Sequence, residues 1–183
     1  MTNPKEGLAL LCLDLQPVFL DVVAEGERLR RRAGLAIGAA AGLGIPVLFT
    51  EQVPHKLGAT EPTLLSGAPG ARVFPKETFS AMADEAVRAE LKAREVEHVL
   101  LCGLETPVCV YQTALDLRAS RREVTLLADA VSGRRPDDSV ACLRALERAG
   151  VHVLPTETVF YALLHDARHP FFRTFTQLVK TQA

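Results

Sequence analysis

Short apolar runs alternate with stretches of helical period along the chain. Runs rich in Leu and Val fall at residues 8–13, 45–50, 98–102, 123–128 and 151–154. They are nearly continuous rather than alternating, the pattern of strands covered on both faces in a parallel sheet. Between them, residues 25–43, 78–94, 107–119 and 137–149 carry apolar positions at helical spacing, so the order is strand, helix, strand, helix. Gly42, Gly44 and Gly150 stand where helices end and the next strands begin. A further short strand at 71–74 brings the number to six. After the last strand, Thr156 is placed to cap a helix running to about Leu164. His169 and Pro170 then break the chain before an amphipathic segment, 171–180, expected to pack on the body or on a second subunit.

No internal repeat or long linker divides residues 1–183, and 183 residues suit one domain with its own core. The expected class is α/β, a three-layer Rossmann-like sandwich. The longest irregular stretch, 51–70, holds three prolines and three glycines and reads as a surface loop.

Composition narrows the partners. The 21 basic and 22 acidic residues leave a formal net charge of -1, so no global field draws the chain to nucleic acid or an anionic membrane. A small-molecule substrate is the expected partner. Residues 1–7 are polar, without a basic region or a long apolar run, which gives a cytoplasmic expectation. Among the four cysteines no CxxC pair occurs. Cys12, Cys102 and Cys142 lie in apolar or helical runs and read as small packing residues rather than a disulfide or zinc framework.

Ligands of open parallel sheets bind beyond the carboxyl ends of the strands. The polar residues there are Asp14 and Gln16, Glu51 and Gln52, Lys76, the segment 103–109 ending in Cys109, and Asp129. An acid, a base and a thiol therefore share one edge. Thr106 reads as an N-cap and Pro107 as the first helical residue, which sets Cys109 at the third position, where the helix dipole favours a thiolate and free N–H groups face a developing oxyanion. Each of Asp14, Lys76 and Cys109 has an ordinary structural reading alone; their convergence argues for chemistry.

Three blocks, LLCLDLQPVF around Asp14, VFPKETFSAM around Lys76 and LLCGLETPVCVYQTALDL around Cys109, resemble the isochorismatase-like hydrolases, or cysteine hydrolase family, which includes nicotinamidases and N-carbamoyl amidohydrolases. The phrases TEQVPHKLGAT and LLHDARHPFF are similar to its isochorismatase domain-containing subgroup. The resemblance implies a six-stranded parallel sheet in the order 3-2-1-4-5-6. It also implies a catalytic triad: Asp14 as general base, Cys109 as nucleophile and Lys76 stabilising charge. The backbone N–H groups of Cys109 and Glu105 would form the oxyanion hole, the latter presented by a cis peptide between Leu104 and Glu105, and a homo-oligomer, dimer or tetramer, is expected. Gln16, Phe19, Phe79 and Leu104 are candidate pocket residues.

Two departures narrow the chemistry. Nicotinamidases of the family bind a metal through an Asp-x-His element and a further His, whereas this chain has only His55 in that region, so no metal or other cofactor is expected. Family members that cleave the vinyl ether of isochorismate lack the cysteine, so Cys109 favours a small amide or carbamoyl substrate. The rival reading is a catalytically weak interaction module that uses the loop after Thr50 and the C-terminal tail. A nucleotide-binding role fails because neither GxGxxG nor GxxxxGK[ST] follows the first strand.

Overall fold

The computed structural model describes residues 6–182; residues 1–5 of the polar N-terminal stretch lie outside them. Six strands, β1 (Leu8–Leu13), β2 (Val47–Gln52), β3 (Arg72–Lys76), β4 (His98–Gly103), β5 (Glu123–Val131) and β6 (His152–Leu154), form one parallel sheet in the order β3-β2-β1-β4-β5-β6. This is the expected order. It reverses at β1 and β4, which opens the crevice where ligands of such sheets sit.

The fully buried β1 shows why the sheet needs two covering layers. Leu8, Leu10 and Cys12 join a core with α2 (Gly26–Gly42), α8 (Thr156–Leu164) and α9 (Phe172–Gln182). Ala9, Leu11 and Leu13 face the opposite core with α5 (Glu85–Ala93), α6 (Tyr111–Ala119) and α7 (Pro136–Arg148). The remaining helices are single turns: α1 (Pro17–Leu20), α3 (Pro54–Leu57) and α4 (Pro62–Leu65), the last two lying within the predicted loop 51–70.

The tail packs on its own body. Phe175 is fully buried, Tyr161 meets it edge-on at 4.9 Å, and Phe171 fills the space that a side chain at Gly42 would need. The apolar face read as a possible subunit contact is thus largely covered by α2 and α8.

Three predicted details are corrected. The helix expected over 78–94 is divided: a 3-10 turn at Ala81–Ala83 precedes α5, because Asp84 stops the first and caps the second by accepting from the Ala86 and Val87 N–H groups. Thr156 does not cap α8; its N–H and hydroxyl both donate to Asp129 Oδ1, at 2.7 and 2.6 Å. Thr106 is the first residue of a π turn, Thr106–Val110, that leads into α6, and its buried hydroxyl has no partner among the described residues. The residue flanking that turn is Glu105, whose carbonyl accepts from the Val108 and Val110 N–H groups.

Candidate active site

Four neighbouring strands each deliver one side chain to the same point. Asp14 follows β1, Gln52 ends β2, Lys76 ends β3, and Cys109 lies in the π turn after β4. Asp14 turns the chain out of β1 with φ of 52°, a left-handed conformation that Asp tolerates better than most residues. Gly103 is required beside it: its φ is 117°, and a Cβ there would lie 2.0 Å from the Leu13 carbonyl oxygen. That close approach lets the Leu104 N–H bond Leu13 O at 2.9 Å and brings the end of β4 against Asp14. The Leu104–Glu105 peptide is cis, as the resemblance implied.

Lys76 Nζ donates to Asp14 Oδ2 at 2.8 Å, to Gln52 Oε1 and to the Thr78 carbonyl at 3.1 Å, and lies 3.7 Å from Cys109 Sγ. The other carboxylate oxygen of Asp14 accepts from the Thr50 hydroxyl at 2.7 Å. With only 0% and 2% of the Lys76 and Asp14 side chains exposed, this is a buried ion pair, a kind that persists when its remaining donors and acceptors are satisfied. Here hydrogen bonds occupy both carboxylate oxygens and surround the ammonium.

The thiol is not acidified as the helix position suggested. Burial, and next the negative charge of Asp14, push Cys109 up from its ordinary 9.0 to about 12, with the Lys76 ammonium opposing only in part. Cys109 is 6% exposed, so the desolvation of a thiolate outweighs the dipole of a short turn. The resting group is a neutral thiol beside a carboxylate, and a nucleophile forms only if its proton moves.

A cavity of about 190 Å³ opens onto these groups, with Phe19, Phe79, Leu104 and Val108 as apolar walls and Glu105 and Arg134 among its polar lining. Three of the four expected pocket residues therefore line it. Gln16 does not: it is buried with its amide spent on backbone, donating to Gln52 O and Gly58 O and accepting from Gln52 N, because its side chain pins the chain after β2. Two other edge residues are also structural. Glu51 accepts from the N–H and hydroxyl of Thr60. Burial would raise Asp129, but hydrogen bonds from Thr156 and the charge of Arg32 hold its carboxyl below the usual range.

Gln52, expected only as an edge residue, also lines the cavity, and the side chains of Val108 and Arg134 escaped the sequence reading of the pocket. Arg134 was hidden because β5 runs to Val131, three residues past its predicted end, which moves the sheet edge from Asp129 to the segment holding Arg134. His55 is exposed on α3. Cys12 and Cys102 are buried partners across β1 and β4, with sulfurs 3.5 Å apart.

Comparison with known proteins places these features in a family. The isochorismatase domain model matches residues 8–158. Isochorismatase domain-containing protein 2 of Danio rerio is 37% identical over 175 residues, covering 95% of this chain and 87% of its own length. The structure of MAR1 ribonuclease from Caenorhabditis elegans superposes with a TM-score of 0.91 at 33% identity, covering 98% of this chain and 92% of that one. The YcaC gene product of Escherichia coli, described as an octameric hydrolase of unknown specificity, shares the fold with a TM-score of 0.86 at 20% identity, over 100% of this chain and 97% of that one. The chain belongs to the isochorismatase family and has its hydrolase fold.

Proposed function

We propose that the chain is a cysteine-dependent hydrolase of small amides or carbamoyl compounds, acting through Asp14, Lys76 and Cys109. The observation that carries this reading is the neutral Cys109 thiol held beside an Asp14 carboxylate that Lys76 fixes in place, at the floor of a small apolar cavity.

As substrate enters, Asp14 takes the thiol proton and Cys109 Sγ forms a bond to the carbonyl carbon. Transfer onto Asp14 relieves the carboxylate charge that kept the thiol protonated, and the Lys76 ammonium offsets the charge that appears on sulfur. The carbonyl π electrons move to oxygen, and the backbone N–H groups of Glu105 and Cys109 receive that oxyanion. Collapse breaks the C–N bond, and Asp14 returns the proton to the leaving nitrogen. Water then adds to the thioester, Asp14 accepting its proton, and the acid leaves as the thiol is restored. No step calls on a cofactor.

The ribonuclease activity in the name of the Caenorhabditis elegans protein finds less support in this cavity. Its volume is below the ~300–1,000 Å³ of drug-sized sites, and its walls are mostly apolar side chains. The octamer described for the Escherichia coli protein motivates the expectation of a homo-oligomer.

Ammonia release from a panel of small primary amides and carbamoyl compounds tests the reading. The wild-type chain is expected to release ammonia from at least one member, and Cys109→Ser to release none above background. Equal rates from both would exclude Cys109 as the nucleophile.

A further inference from the structure

At the mouth of the cavity, Arg134 Nε lies 2.8 Å from Glu105 Oε1 and donates to Glu105 Oε2 at 3.1 Å. The partners are unequally placed: 11% of the Glu105 side chain is exposed, against 64% for Arg134. The backbone that carries them is anchored. The Thr106 N–H donates to Ser132 O at 2.8 Å, the Ser132 hydroxyl donates to Ala24 O at 2.7 Å, and Gly133 packs against Pro107 at the start of the Cys109 turn. The backbone on either side of the pair is therefore held against the Cys109 turn.

Deeper in, each charge is already answered. Asp14 is paired with Lys76, and Gln52 accepts from Lys76 and donates to the Glu77 carbonyl. An ionic substituent on the substrate would meet apolar walls inside and a mutually neutralised pair at the entrance, so its lost hydration would find no compensation. We propose that the Glu105–Arg134 pair acts as a charge filter, restricting the site to small uncharged amides with an apolar acyl group. The inference rests on the hydrolase reading and deepens it.

Removing either partner should reverse the filter in a definite direction. Glu105→Gln leaves the Arg134 cation unopposed and favours anionic ligands; Arg134→Gln leaves the Glu105 carboxylate and favours cationic ones. A first test needs no turnover. Iodoacetamide and iodoacetate alkylate a thiol by the same step, the proton passing to a base as sulfur forms the S–C bond and iodide leaves; their rate ratio at Cys109 is read by peptide mass spectrometry and normalised to glutathione. Relative to wild type, Glu105→Gln should shift the ratio toward iodoacetate by about tenfold or more, with Arg134→Gln shifting it the other way. A ratio common to all three proteins would overturn the filter.

Hydrolysis of hexanamide, adipic acid monoamide and 6-aminohexanamide supplies the second arm. Wild type should prefer hexanamide, with Glu105→Gln gaining relatively on the monoamide and Arg134→Gln on the aminoamide. If amides are cleaved without any charge-dependent shift, the filter is wrong and the hydrolase reading stands. If alkylation shifts as stated while wild type cleaves no amide or carbamoyl compound, the filter is supported and the hydrolase reading falls.

Discussion

Asp14→Asn is expected to lower kcat by about 10²–10⁴-fold, the usual contribution of a positioned general base and acid, while making Cys109 easier to alkylate. The two effects separate because Asp14 has two relations to the thiol. In the proposed mechanism its carboxylate receives the proton and returns it to the leaving nitrogen, which an amide cannot do. As a negative charge it is, after burial, the main influence that keeps the resting thiol protonated. Asparagine removes that charge and leaves the Lys76 ammonium held by Gln52 and Thr78, so the thiol becomes more acidic and a larger thiolate fraction exists at neutral pH. Iodoacetamide labelling of the Cys109 peptide should accelerate as ammonia release falls. A parallel fall in both would mean that Asp14 acts only by shaping the site.

Lys76→Met should have the largest effect on stability. It strips the cation from a carboxylate of which 2% is exposed, leaving the Thr50 hydroxyl as its side-chain partner. Breaking a buried pair on one side costs about 3–5 kcal/mol. At roughly 2–4 °C per kcal/mol for a domain of this size, Tm should fall by about 6–20 °C. The Asp14→Asn/Lys76→Met double variant should regain much of that loss, because it leaves neither charge buried alone. An unchanged Tm in the single variant, or simple additivity in the double, would contradict a coupled buried pair.

The sequence made the scaffold legible where physical signals agree. The buried runs of β1 and β4 read as strands because parallel strands covered on both faces have no polar alternation, and their ends fixed the edge where Asp14, Lys76 and Cys109 converge. The errors occurred where a local signal competed with a tertiary partner. Thr156 has a good capping residue's chemistry, but Asp129 takes its hydroxyl across 27 positions. Asp129 itself read as an edge residue because its polarity seemed to end β5, whereas Arg32 and Thr156 satisfy it within the strand. Moving that strand end is what brought Arg134 to the cavity. The helix position of Cys109 pointed to a depressed pKa, and burial with Asp14 overrode it, a balance that depends on depth and on charges distant in sequence. Arg32 is likewise claimed by distant partners: 11% exposed, it pairs with both Asp129 and Glu157.

Under the proposed mechanism Cys109 becomes covalently acylated. The most direct test is rapid acid quenching of the wild-type chain with an amide that it turns over, followed by intact-mass and peptide mass spectrometry. The expected result is a mass increase equal to the acyl group on the Cys109 peptide, removed by hydroxylamine and lacking in Cys109→Ser. Turnover by Cys109→Ser at the wild-type rate, or an acyl group found on another residue and never on Cys109, would contradict it.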